Sequence, residues 1–144
     1  MDISLGFQIE HPQIFVTWNV SEAELKELFT GISLNNVTQG YFVAECVSLS
    51  GLSHRLGFHF YPRVGGQLAE LELFGCEAKS LIASYELFQK HLEIAFGPPS
   101  LTTDGSEGFE SHEWRLQEVD IVHFVQYRFG EEEYVRIKRQ HGLK

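Results

Sequence analysis

The residues best suited to metal chemistry are four histidines and one glutamate in strand-like segments. They are His54, His59, His112, His123 and Glu113. Imidazole and carboxylate groups are common ligands of zinc and iron. No pair of these residues has the sequence spacing of a metal-binding motif, and scattered histidines are typical of ordinary strand faces. We therefore expect neither a bound metal nor a cofactor.

Cys46 is the candidate nucleophile, because a histidine near it in the fold could serve as its base. However, Cys46 lies in an apolar segment, where a thiol is typically an inert part of the core. Cys46 and Cys76 are far apart in sequence, which favours two reduced thiols over a disulfide framework. The common motifs of serine hydrolases, phosphate-binding loops, dinucleotide-binding folds and zinc proteases are absent from the sequence. We expect no catalytic residues, although the sequence alone does not exclude an enzyme.

The net charge of −9 results from 20 acidic and 11 basic residues. Binding to nucleic acid or to an anionic membrane depends on clustered Lys and Arg, so neither partner is expected. The acidic residues are concentrated in segments 22–27, 70–77 and 104–118. This distribution favours a basic protein partner, although an acidic surface also keeps a small protein soluble.

One predicted group of partner-binding residues lies on the wet face of neighbouring strands. It comprises Arg55, His59, Tyr61, Glu70 and Glu72. Tyr and Arg among charged residues are typical of protein-binding surfaces, but the same residues occur on many sheets that bind nothing.

A second predicted group lies in segment 101–110, which is rich in Gly, Ser, Thr and Asp and reads as an exposed loop. Asp104, Glu107 and Glu110 recur there every three residues, which is not the spacing of an EF-hand. We expect a solvated acidic loop. Residues 104–118, together with Glu70 and Glu72, would form an acidic patch that steers a basic partner.

A strongly amphipathic helix is predicted over residues 80–96. Leu81, Tyr85, Phe88, Leu92 and Phe96 recur at steps of three and four, which places them along one stripe. The segment Gly97–Pro98–Pro99 ends the helix, because glycine can adopt a left-handed conformation and proline cannot continue a helix. Such a stripe requires an apolar surface, and we expect that surface to be a sheet.

Most of the remaining chain has the alternating pattern of strands. The expected strands are residues 3–9, 14–18, 41–49, 55–61, 67–74, 112–117, 119–128 and 132–139, and a short helix over 21–30 has the Ser21/Glu24 spacing of a capping box. Leu25, Leu28 and Phe29 should form the apolar stripe of this helix, and segment 35–40 reads as a loop.

The two halves of the chain show a similar order of elements, a helix followed by three strands. At an offset of about 64 residues, Val135 and Ile137 take the places of Leu71 and Leu73. An internal duplication would explain this similarity, but any meandering sheet repeats its alternation. Both explanations remain open at the level of sequence.

The length and the hydrophobic content of 43% suit a single soluble domain over residues 1–144. The predicted elements indicate an α+β fold, in which two helices lie on a largely antiparallel sheet after an N-terminal hairpin. The sequence has no apolar run of membrane-spanning length and no signal-peptide pattern at its N-terminus, which favours the cytoplasm.

Three segments carry a resemblance to a known class of proteins. They are Phe-Val-Thr-Trp-Asn before the Ser-capped helix, Phe-Gly-Pro-Pro after the second helix, and a Glu-Trp strand after the Gly-rich loop. In this layout the chain resembles the small bacterial immunity proteins that neutralise toxin domains. The resemblance implies a non-enzymatic binding protein that inhibits a basic toxin domain. The alternative expectation is a small-molecule-binding domain, or a minor enzyme, with a pocket between helix and sheet.

Overall fold

The computed structural model of the protein describes residues 1–75 and 78–140. The predicted thiol of Cys76 and the basic residue Lys144 lie outside these ranges. The described residues form two helices, α1 (Glu22–Leu28) and α2 (Leu81–Phe96). The strands are β1 (Gly6–Ile9), β2 (Ile14–Thr17), β3 (Asn35–Thr38), β4 (Tyr41–Ser48), β5 (Leu52–Tyr61), β6 (Gln67–Phe74), β7 (Leu101–Ser106), β8 (Phe109–Leu116), β9 (Val119–Tyr127) and β10 (Glu131–Arg139).

Eight of these strands form one antiparallel sheet with the order β3-β4-β5-β6-β10-β9-β8-β7, and β1 and β2 form a separate hairpin. The predicted α+β fold is therefore confirmed. Each half of the sheet is a meander of four strands that follows one helix, and the halves join where β6 pairs with β10.

One face of the sheet is covered and the other is open. Alternate side chains such as Phe58, Leu71 and Ile137 are fully buried on the covered face. The cover consists of α1, the β1–β2 hairpin and α2, which together we call the covering layer. Buried residues of the sheet and of the covering layer form one continuous hydrophobic cluster.

Helix α2 has the stripe that its sequence predicts, since Tyr85, Phe88 and Leu92 are its buried residues. The hydroxyl of Ser80 accepts a hydrogen bond from the Ala83 amide (3.1 Å) and caps the helix. Gly97 ends it with a φ of 81°, a conformation that glycine adopts without steric cost. The predicted capping box of α1 is also confirmed, because Ser21 and Glu24 exchange side-chain-to-backbone hydrogen bonds.

Two segments that the sequence presents as loops are strands. Segment 35–40 contains β3, and segment 101–110 contains β7 and the start of β8. All residues of β3 and β7 are exposed, and both strands lie at an edge of the sheet. Edge strands have no buried face to impose hydrophobic alternation, so their polar sequences gave no strand signal. Each half of the chain consequently has four strands after its helix, where three were expected.

The first strand is shorter than its alternating pattern predicts. It begins at Gly6, and Leu5, which the pattern assigns to the buried face, is 63% exposed. Leu28 of α1 was likewise expected in the apolar stripe, but it is exposed, whereas Leu25 and Phe29 are buried. Among the described residues, neither helix is both long and apolar enough to cross a membrane.

Candidate functional site

The strand residues predicted to bind a partner lie on or beside the open face of the sheet. His59 of β5 pairs in register with Glu70 of β6 and with Tyr41 of β4. The rings of Tyr41 and His59 stack with their centroids 4.3 Å apart. Tyr41 lies over Gly57, where an added Cβ would be 2.9 Å from a carbon of the tyrosine ring. Gly57 therefore provides the space that holds this stack against the sheet.

Glu70 and Glu72 are engaged by cationic and imidazole groups of the same face. Arg136 donates to Glu70 (2.8 Å) and to Glu72 (3.4 Å), and His59 Nε2 lies 3.0 Å from Glu72 Oε1. The hydrogen bond from His59 and the charge of Arg136 lower the pKa of Glu72 against the opposing effect of burial. Arg136 thus offsets part of the negative charge of these two carboxylates, which reduces their negative potential.

The acidic residues of segment 101–110 are not brought next to that network. Asp104 lies in β7, Glu107 in the turn and Glu110 in β8, whereas Glu70 and Glu72 lie in β6. Strands β10 and β9 separate β6 from β8. Glu110 also lies on the covered side of the sheet, where its carboxylate is 3.8 Å from His112. The predicted acidic residues Glu70, Glu72, Asp104, Glu107 and Glu110 therefore do not form one patch.

Ser48, His54 and Cys46 form the arrangement closest to a catalytic site. His54 Nδ1 lies 3.0 Å from the Arg55 carbonyl, which leaves Nε2 to accept from Ser48 Oγ at 2.5 Å. Cys46 Sγ is 3.8 Å from the same nitrogen. However, Ser48 is fully buried, and burial raises the pKa of Cys46 to about 12 and lowers the pKa of His54. Cys46 and His54 line a depression of about 500 Å³ beside β4 and β5, but Ser48 is not among its lining residues. The thiol stays protonated and the serine is buried, so the cluster has no accessible activated nucleophile.

His123 is the centre of a second buried polar cluster, between α2 and the sheet. Its Nε2 lies 2.6 Å from a carboxylate oxygen of Glu133, and its Nδ1 lies 2.8 Å from Gln89 Oε1. Ser84 donates to the other carboxylate oxygen of Glu133 at 2.5 Å. The serine is therefore bonded to the carboxylate and not to the imidazole, which is the wrong order for a nucleophile and its base.

The histidines that could have formed a metal site point in different directions. His112 and His123 are neighbours on the covered face with ring centroids 6.4 Å apart, whereas His59 projects from the open face. Burial and the neighbouring His123 lower the pKa of His112. Within residues 1–75 and 78–140, no three His, Cys, Asp or Glu side chains converge in a way that would hold a metal ion.

Three neighbouring depressions cross the outer surface of the covering layer, and together we call them the acidic groove. The first lies between β2 and α1 and has a volume of about 410 Å³. The second, of about 460 Å³, lies between the β1–β2 hairpin and the end of α2, and the third, of about 670 Å³, lies between α2 and β8. Phe15 lines the first two depressions and Ile94 lines the last two, so the three depressions adjoin one another.

The floor of the acidic groove is apolar. Leu5, Phe15, Leu28 and Ile94 line it, and all four are exposed; Leu5 is 63% and Ile94 56% exposed. Single exposed apolar residues are normal, but several along adjoining depressions are typical of an interaction surface.

The walls of the acidic groove carry most of the charge in this region. The lining acidic residues are Asp2, Glu10, Glu24, Glu27, Glu86, Glu93 and Glu110. Among the described residues that line the groove, Lys90 is the single Lys or Arg. A concave surface of one charge sign focuses its field, so this groove is suited to attracting cationic groups.

The apolar floor of the groove could not be recognised from the sequence, for an identifiable reason. Leu5 and Leu28 fitted the buried phase of their elements, so nothing distinguished them from core residues. Phe15 gave a weak signal, because it occupies the exposed phase between the buried residues Ile14 and Val16. A large apolar residue in the exposed phase of a short strand is the pattern that could have indicated a surface site.

No protein family, curated protein or solved structure matches this chain with significant similarity. The resemblance to immunity proteins therefore remains a prediction.

Proposed function

We propose that this protein is a non-enzymatic binding domain, and that the acidic groove holds a basic segment of a partner protein. The observation that carries the proposal is the composition of the groove, in which seven acidic residues and one basic residue surround an apolar floor. A segment with apolar side chains on one face and Lys or Arg on the other matches this surface in both respects.

The buried polar clusters support a binding function over catalysis. Ser48, His54 and His123 are buried, and their hydrogen-bonding groups are engaged by other residues of the chain. His54 borders a depression, but its Nε2 is held by the buried Ser48. Enzymes need such groups at a place that a substrate can reach. The accessible groups of the acidic groove are mainly carboxylates and apolar side chains, which suit recognition.

The alternative function, a small-molecule site between helix and sheet, would use the depression between α2 and β8. Its two ring-bearing polar residues already have partners inside the chain. Tyr85 donates its hydroxyl hydrogen bond to the carbonyl of Glu110, and His112 Nδ1 lies 3.1 Å from Thr102 Oγ1. We therefore favour the protein partner. The more specific proposal, which follows from the resemblance stated above, is an immunity-type inhibitor of a basic toxin domain.

A designed peptide tests the proposal and does not require the partner to be identified. The probe is a synthetic amphipathic helix with leucines on one face and lysines on the other, and binding is measured by fluorescence anisotropy. The control peptide keeps the lysines and replaces the leucines by serines. We expect the amphipathic peptide to bind at least about tenfold more tightly than the control, because only the former can cover the apolar floor.

Two double variants locate the binding surface. Glu27→Lys with Glu93→Lys reverses two charges of the groove, and Glu45→Lys with Glu131→Lys reverses two exposed charges elsewhere. Both change the net charge from −9 to −5, since each exchange adds two positive charges. We expect only the first variant to lose most of its affinity. Equal binding by both variants, or equal affinity for the two peptides, would contradict the proposal.

A further inference from the structure

A depression of about 430 Å³ lies on the other side of the sheet from the acidic groove. It is bounded by the turn between β3 and β4, by the connection from β5 to β6, and by the end of β10. Three basic side chains line it, namely Arg63, Lys138 and Arg139. We call this depression the cationic pocket.

The cationic pocket is anomalous in a protein of net charge −9. Three of the 11 Lys and Arg residues line it, and its one lining carboxylate is Glu70, which Arg136 binds at 2.8 Å. Arg139 shares the strand phase of the buried residues Val135 and Ile137, and its guanidinium donates to the Trp18 carbonyl (3.2 Å) on the covered side. Arg63 and Lys138 therefore supply the positive charge of the pocket. Within the described part of the chain, neither Arg63 nor Lys138 forms an ion pair, and both are exposed. Concentrated, uncompensated positive charge favours an anion.

Aromatic side chains provide the other walls of the pocket. The stacked rings of Tyr41 and His59 line one part, and Tyr61, which is 75% exposed, lines another. Side chains of this type offer flat apolar surface together with hydroxyl and ring N–H groups. A small free anion that fits both the basic side chains and the aromatic walls would carry a planar ring as well as a negative charge.

We propose that the cationic pocket binds a small free organic phosphate in which a phosphate monoester is attached to a planar ring. Arg63 and Lys138 contact the phosphate, because guanidinium and ammonium groups are the usual phosphate ligands of proteins. Tyr61 covers the ring. The volume lies within the range of small-molecule sites. The pocket is independent of the acidic groove, so neither proposal depends on the other.

Titration calorimetry with phenyl phosphate tests this proposal, because phenyl phosphate combines both features in their simplest form. Inorganic phosphate supplies the charge alone and phenol the ring alone. We expect saturable 1:1 binding of phenyl phosphate that is about tenfold tighter than that of inorganic phosphate, and no binding of phenol. If inorganic phosphate binds as tightly as phenyl phosphate, the pocket holds an adventitious ion only, and the proposal fails.

Variants assign the binding to this pocket. Arg63→Gln with Lys138→Gln should weaken the binding of phenyl phosphate by about tenfold or more, whereas Lys90→Gln, on α2, should leave it unchanged. Tyr61→Ala should weaken the binding of phenyl phosphate but not the binding of inorganic phosphate. Because the Tyr61 side chain is exposed, this substitution should not disturb folding. Unchanged binding in the first variant would overturn the proposal, as would an equal loss of affinity in Lys90→Gln.

Discussion

Glu72 and Arg136 face each other where the two halves of the sheet join, and they are 64 positions apart in the sequence. On either side of this pair, Leu71 pairs with Ile137 and Leu73 pairs with Val135. Counting 64 positions along the chain leads from Leu71 to Val135 and from Leu73 to Ile137. Exchanging the two strands therefore gives the same set of cross-strand pairs. The offset predicted from sequence is thus the offset that makes the β6–β10 junction symmetric about Glu72 and Arg136.

The ion pair at this junction should contribute measurably to stability. Both side chains are less than one third exposed, at 22% for Glu72 and 29% for Arg136. We expect a double-mutant cycle with Glu72→Gln and Arg136→Met, measured by urea unfolding, to give a coupling free energy of about 1 kcal/mol. The more exposed Arg115–Glu113 pair is the control and should give less than about 0.5 kcal/mol. Equal coupling in the two pairs would contradict this interpretation of the junction.

Phe88 should be a major contributor to the core. It is 1% exposed, and its ring is packed with its centroid 6.3 Å from those of His54 and His123. Phe88→Ala should lower the free energy of unfolding by about 3–5 kcal/mol, because it removes a large ring from a closely packed site. Ile82→Ala on the exposed side of the same helix is the matched control and should have little effect. A loss below about 1 kcal/mol for Phe88→Ala would be inconsistent with this packing.

Stability should fall when the pH drops below the ordinary pKa of histidine. Burial lowers the pKa of His54 and of His112 in the folded state, so the unfolded state binds protons more readily. As the pH falls through about 6.5, the pKa of an unfolded histidine, and on toward the lower pKa values of the folded state, acidification therefore favours unfolding. His112→Asn should make the dependence of the unfolding free energy on pH shallower in this range. An unchanged slope would show that His112 is not responsible.

The depressed pKa of Glu72 should act in a separate, more acidic range. Its contribution to stability is present above the pKa of an unfolded glutamate, about 4.3, and is lost as the pH falls through the lower folded value. Glu72→Gln should remove this acid-dependent loss while leaving the histidine-dependent slope intact. Unfolding curves measured across both ranges distinguish the two effects.

Helices and buried strands could be predicted from the sequence, because a buried face imposes a period on it. Phe88 and Leu92 repeat at helical spacing, and Leu71 and Leu73 alternate, and all four are buried. The edge strands β3 and β7 could not be predicted in this way, because none of their residues is buried. Their pairing depends on backbone groups of the neighbouring strand, which leave no signal in side-chain polarity.

The site was harder to predict than the fold, because it depends on which elements are neighbours in space. Glu70 and Glu110 were assigned to one acidic patch from composition, but they lie on opposite sides of the sheet. Glu27 and Glu93, in different helices, line two depressions that both adjoin the one between the β1–β2 hairpin and α2. A hydrophobic pattern identifies the buried face of each element, but not which exposed residues of two elements meet.

Association with the amphipathic lysine–leucine peptide should depend strongly on salt. Electrostatic steering accelerates encounter at low ionic strength, and screening removes this acceleration as the Debye length shortens. We expect Glu27→Lys with Glu93→Lys to lower the association rate constant and to flatten its salt dependence, as measured by stopped-flow fluorescence. Glu45→Lys with Glu131→Lys should retain a steeper dependence than the groove variant. The same salt dependence in both variants would mean that net charge, and not the groove, accounts for the steering.

Photo-crosslinking in the cell that produces the protein tests the acidic groove most directly. Benzoylphenylalanine replaces Leu5 in the groove or, as the comparison, Arg55 on the open face. We expect a crosslink from position 5 to a protein of positive net charge, which disappears with Glu27→Lys and Glu93→Lys and persists with Glu45→Lys and Glu131→Lys. A crosslink from position 55 alone, no crosslink from position 5, or one that survives charge reversal in the groove would contradict the proposed function.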